Sequence, residues 1–203
     1  MARMVKKLGI SITVAKPPYL LGLDAGNTII KAVLFDSEGR QIAAHGIDGA
    51  TSKPAPGMVE RSVTELWENA KVAIATCIEK AGISASEIAA VGTAGHGNGL
   101  YLLDKHDQAL IGIQSIDSRA ASLSETLDRE AGDAMHAVCL QRPWPSQTPV
   151  LLAWLKRNRP EIYARAGTLL FAKDVVTFQL TGKKVSEISD MSGGGLLRLP
   201  EAT

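Results

Sequence analysis

Residues 20–39, LLGLDAGNTIIKAVLFDSEG, decide how the rest of the chain is read. Residues 20–24 form one apolar run and residues 29–35 another, interrupted only by Lys31. Between them DAGNT holds the glycine and small polar residues of a tight bend, and DSEG supplies the same after the second run. A third, more polar strand is expected over residues 40–46. Three strands on short links predict an antiparallel meander, because parallel neighbours need a crossover of roughly a dozen residues. A buried hairpin gains nothing from an aspartate at its bend. A site for a phosphate and its metal ion uses both features. Gly26 lets backbone N–H groups approach a ligand, Asn27 and Thr28 add polar side chains, and Asp24 can anchor Mg²⁺ lying between carboxylate and phosphate. Lys31 offers a positive charge toward the same cleft. The plain alternative stays open, since short Asp-Gly turns also join strands that carry no chemistry.

Downstream, Ser62 and Glu65 stand three apart as a capping box. Val63, Leu66, Trp67, Ala70, Ile74, Cys77 and Ile78 then recur at helical spacing until Gly82. IAAVGT is a strand that runs into AGHGNG, LYLLD is another, and ALIGIQSID carries a third toward Asp117. Helices are expected from residue 118 to about 131, over 149–158 with proline in the first turn, and again after Pro160. A short strand TLLFA, a helix KDVVTFQLTG and a glycine-rich tail complete the order. The expectation is a mixed α/β domain whose later strands extend the meander between flanking helices.

The 203 residues suffice for one well-cored domain, and 45% hydrophobic with 21% charged residues is ordinary for a globular protein. A net charge of +1 and scarce aromatics argue against nucleic acid as a partner. No apolar run is long enough to span a bilayer, which argues against a membrane protein. Cys77 and Cys139 show no redox or metal spacing, and this fits a cytoplasmic setting; His45, His96, His106 and His136 form no zinc pattern. Residues 1–18 have a short apolar run without a cleavage site, and are expected to be a disordered extension.

The strand–turn–strand opening, followed by an amphipathic helix, resembles the actin-like ATPase (ribonuclease H-like) fold. The run VGTAGHGNGLYLLDKHDQALIGIQSIDSRA is similar to the sugar-contacting segment of the FGGY carbohydrate kinases. PVLLAWLKRNRPEIYARAGTLLFAKDVVTFQLTGKKVSEISDMSG resembles the same family's later helix, proline break, lysine-aspartate helix and serine-aspartate loop. The resemblance covers residues 20–199 and, in GNGLYLLD and SxDxR, leans toward L-xylulose kinase-like enzymes. It implies ATP and Mg²⁺ as cofactors, with Asp24, Gly26, Asn27, Thr28 and Lys31 at the phosphates and Asp24 at the metal. It implies a sugar or polyol substrate facing His96, Asn98, Asp117 and Arg119, with Trp144 and Gln147 as a further contact. Asp117 has a second reading as the N-cap of the helix that follows it. Ser115 stands where much of the family carries tryptophan, and Gly97 and Asn98 replace bulkier contacts.

The resemblance also implies that the catalytic base and adenosine pocket belong to a second domain beyond Thr203. On this reading the chain is the N-terminal half of a ketopentose or polyol kinase, completed by a separate C-terminal half or paired as a homodimer. The alternatives are an inactive sugar-binding or regulatory module, or a fragment.

Overall fold

The computed structural model describes residues 17–199, so the expectation for residues 1–18 lies, apart from Pro17 and Pro18, outside the described residues. Strands β1 (Tyr19–Ala25), β2 (Ile29–Phe35) and β3 (Gln41–Asp48) pair antiparallel as the meander. Helix α1 (Val63–Ala81) then carries the chain back, and β4 (Ile88–Gly95) lies parallel to β1. The sheet is therefore mixed, in the order β3-β2-β1-β4.

Strict alternation along β1 explains what each face does. Tyr19, Leu21, Leu23 and Ala25 are buried, whereas Leu20 and Asp24 are exposed on the opposite face. The buried set packs with Leu66, Ala70, Ala73 and Cys77 of α1, so Cys77 is a small core hydrophobe. Only half of the expected capping box forms. The Ser62 hydroxyl accepts from the Glu65 N–H at 3.3 Å, but the Glu65 carboxylate turns away and accepts from the Ala50 N–H at 2.9 Å. Gly82, at φ 64°, closes the helix in the left-handed region that favours glycine.

The later strands depart from expectation. β5 (Leu100–Asp104), β6 (Ala109–Ile113) and β7 (Ala166–Leu170) do not extend the meander but form a second, antiparallel sheet in the order β6-β5-β7. The chain breaks away at Asn98 and Gly99, both at positive φ, and β5 is then apolar on both sides. Tyr101 and Leu103 join the first core. Leu100 and Leu102 join a second core with Leu123, Leu151 and Leu155. Those three residues come from α2 (Ala121–Cys139), which runs beyond its expected end, and α3 (Thr148–Asn158). A strand buried on both faces cannot be an exposed edge of the meander; it is the layer between two cores. Helices α4 (Pro160–Arg165), α5 (Ala172–Thr181) and α6 (Ile188–Gly193) complete the described chain, α5 packing along β4 and α1.

Candidate phosphate and sugar site

Because β1 and β4 are parallel, with Ala25 opposite Gly95, the loops that follow them leave the same end of the sheet. Ligands of open α/β sheets bind outside the carboxyl ends of parallel strands. The two loops also touch, since the His96 N–H donates to the Ala25 carbonyl at 3.2 Å.

The DAGNT turn occupies the first position. Asp24 is exposed and, among the described residues, its carboxylate has no hydrogen bond or ion pair. Lys31, its register partner on β2, is exposed on the same face. Gly26 is required by close approach, because a Cβ there would lie 2.9 Å from the Ile29 carbonyl oxygen. All three turn carbonyls are held from the protein side. Arg61 donates from Nη1 to Gly26 O at 2.8 Å and from Nη2 to Asn27 O at 2.7 Å. Gln114 Nε2 also donates to Asn27 O, at 2.6 Å, and the Gly49 N–H donates to Thr28 O at 2.7 Å. In a trans peptide the N–H points opposite the C=O, so the Asn27 and Thr28 N–H groups face outward. Neither has an acceptor among the described residues.

The AGHGNG loop occupies the second position. The His96 ring pairs through Nε2 with the Tyr101 hydroxyl at 3.0 Å. Burial pushes His96 down to about 4, aided by the nearby Arg61 charge and opposed by the backbone of Gly97 and Asn98, so the ring is neutral near pH 7. Burial likewise pushes the Tyr101 hydroxyl up to about 12. The His96 Nδ1 and the Asn98 Oδ1 are buried without hydrogen-bond partners among the described residues. An unsatisfied buried polar atom costs on the order of 1–3 kcal/mol, which a hydroxylated ligand or water can offset. Asn98 sits at φ 59°, a region asparagine tolerates better than most residues. Alongside lies a recess of about 580 Å³ lined in part by Thr93, Gly95, Lys173 and Asp190. Lys173 is held there by Asp174 at 2.6 Å and Asp190 at 3.0 Å.

The first loop is also tied to the segment after β6, since the Asn27 Nδ2 donates to Ser115 Oγ at 2.9 Å. Ser115, which stands where much of the family carries tryptophan, thus holds the DAGNT turn against the segment that follows β6.

Asp117 and Arg119 require correction as substrate-facing residues. Asp117 is 2% exposed, and its oxygens accept from the Val59 N–H at 2.6 Å, the Arg119 N–H at 2.9 Å and the Arg119 guanidinium at 2.9–3.0 Å. Arg119 is itself buried, pairs with Glu60 at 2.8 Å and lies over the Trp154 ring. A carboxylate so fully engaged has no open lone pair for a sugar hydroxyl. Nor is Asp117 a helix cap, since α2 begins after Ala120 without a side-chain cap. Trp144 is half-buried, and its carbonyl accepts from the Gln147 N–H at 3.1 Å. Gln147 is wholly buried, with both amide atoms unpartnered among the described residues, under Gly195, where a Cβ would come within 2.6 Å of Nε2. Arg61, Gln114 and Tyr101 escape sequence reading altogether. Each resembles an ordinary helix-flanking or strand residue until the fold shows what it touches.

Among the described residues no group of three or more His, Cys, Asp or Glu could hold a metal ion by itself, and no helix is long and apolar enough to cross a membrane. A lone Asp24 still fits Mg²⁺, which is commonly bound through one or two carboxylates together with the phosphates of its ligand.

Fold and loops together define an actin-like ATPase type of domain, and comparison with known proteins is specific. Residues 19–202 match the N-terminal domain of the FGGY family of carbohydrate kinases, and the chain belongs to that family. It is 33% identical over 183 residues to an L-xylulose/3-keto-L-gulonate kinase of Escherichia coli (strain K12), covering 89% of this chain and 37% of that protein. It is 32% identical over 187 residues to an autoinducer-2 kinase of Salmonella typhimurium, covering 89% of this chain and 35% of that protein. The structure of a xyloylose kinase from Brucella ovis superposes with a TM-score of 0.85 at 29% identity, over 91% of this chain and 38% of that one. The chain thus spans less than two-fifths of the length of these relatives.

Proposed function

We propose that this domain supplies the sugar-facing wall and one phosphate loop of an ATP-dependent ketopentose or polyol kinase. The observation that carries the reading is the shared end of β1 and β4. There the outward Asn27 and Thr28 N–H groups and the unpaired Asp24 adjoin the unsatisfied His96 Nδ1 and Asn98 Oδ1. Asp24 would hold Mg²⁺, which when bound to ATP neutralises charge on the transferring phosphoryl group. The Asn27 and Thr28 N–H groups and Lys31 would orient phosphate oxygens. Neutral His96 and Asn98 would fix the acceptor: with Nε2 engaged by Tyr101, His96 offers Nδ1 as donor or acceptor according to its tautomer, and the Asn98 Oδ1 accepts from a hydroxyl. Phosphoryl transfer depends mainly on such positioning and charge placement, and the base belongs to the second family domain. The relatives named for L-xylulose and 3-keto-L-gulonate support a ketose as the acceptor.

The test is a coupled kinase assay with the second FGGY domain supplied in trans and L-xylulose as substrate. Asp24→Ala should lower turnover by on the order of a hundredfold or more. Turnover indifferent to that change refutes the reading. Calorimetric binding of L-xylulose without any turnover favours the alternative of a sugar-binding module.

A further inference from the structure

We infer that Arg61 is a positioning residue that sets the phosphate turn in its outward-facing form. It rests on the proposed function for its purpose, although its geometry stands independently. Arg61 is 2% exposed, an uncommon place for a guanidinium, and among the described residues it makes only one ion pair, with Glu65 at 3.5 Å. Its two forked Nη atoms instead take two successive carbonyls, Gly26 O and Asn27 O. Planar, rigid spacing of donors makes arginine suited to such a double contact, and lysine is not its equivalent. Fixing those two carbonyls inward fixes the following two N–H groups outward.

The fold clears space for this contact. A Cβ on Gly49 would sit 1.7 Å from Arg61 Nη2, and a Cβ on Gly112 would sit 2.4 Å from the Arg61 carbonyl oxygen. The Arg61 N–H donates to Gly112 O at 3.0 Å, so the residue's backbone is pinned to β6 while its side chain reaches β1. Gln114, fully buried, backs the same Asn27 carbonyl and accepts at Oε1 from the Thr51 hydroxyl at 3.2 Å. The turn that faces outward is thereby anchored to the second sheet.

Arg61→Gln, Arg61→Lys and Gly49→Ala test this in the full chain. Amide hydrogen exchange is read at Gly26 and residue 49, whose N–H groups hold the turn closed, with Leu102 of β5 as the reference. Arg61→Gln should speed exchange at both turn amides at least tenfold while Leu102 keeps its protection, and Arg61→Lys should restore part of the loss. Gly49→Ala retains the positive charge but expels the guanidinium, so it should loosen Gly26 comparably. It serves as the deciding variant where Arg61→Gln fails to fold. Mg-ATP affinity, read by amide shifts, should fall at least tenfold in the folded variants with L-xylulose affinity unchanged. Unchanged turn amides in a folded variant overturn the inference, and so does loosening shared equally by Leu102, which marks a general packing role. Loosened turn amides in a chain whose parent never binds Mg-ATP would sink the proposed function and leave the Arg61 clamp standing.

Discussion

Asp24 and Asp117 are the same residue type, each follows an apolar strand, and each is a natural candidate for a kinase site. The structure separates them. Asp24 is exposed without a partner among the described residues, beside outward N–H groups. Asp117 is buried and bonded to Val59 and Arg119 on both oxygens. Available lone pairs, rather than sequence position, distinguish a carboxylate that can take a ligand from one that holds the fold. The Asp117–Arg119 pair keeps the loop before α2 against the segment ending in Glu60, and so holds the neighbouring Ser115 within reach of Asn27.

Breaking that comparison should give effects of different size and kind. Asp117→Ala leaves Arg119 buried without its main partner and should cost about 3–5 kcal/mol in urea unfolding. Asp24→Ala removes no contact and should stay within about 0.5 kcal/mol of the parent in the same experiment. Equal losses would erase the distinction between the two carboxylates.

His96 sharpens the picture of the ligand end through pH. The unfolded chain takes up a proton on this ring near pH 6.5, whereas the folded chain does so only near 4. Its contribution is therefore complete above 6.5 and is lost as pH falls from there toward 4, by at most ~3 kcal/mol. Comparing urea midpoints of the parent and His96→Gln across that range isolates it, the variant showing the flatter profile. A smaller loss than that at His96 is expected in α1. Ser62→Ala removes the one half of the capping box that forms, and should lower stability by about 1 kcal/mol without altering ligand binding.

Much of the first sheet was legible. The apolar run of β1, the glycine at its bend and the spacing in α1 are local signals, and strand, turn and helix form there. The second sheet was not, because β5 is apolar on both faces and such a run does not say which layer it joins. In the candidate site, Asp24, Gly26 and Lys31 are expectations from the turn itself, whereas His96 and Asn98 are expected only through the family resemblance. The roles of Arg61, Gln114 and Ser115 depend on contacts across 34 to 88 residues of sequence. No local pattern marks a buried guanidinium, and two glycines that accommodate it, Gly49 and Gly112, look like ordinary loop and strand residues. The expectation for Asp117 and Arg119 comes with the family resemblance, and a resemblance in sequence does not show that Val59 and Arg119 occupy both Asp117 oxygens.

The proposed function requires the turn after β1 to receive phosphate and magnesium. A two-dimensional amide titration of the chain with Mg-ATP tests it most directly. Saturable shifts should centre on Gly26, Asn27, Thr28 and Lys31 and vanish in Asp24→Ala, while Asp117 and Arg119 remain still. Absence of saturable shifts at the turn, or equal response in Asp24→Ala, would contradict it.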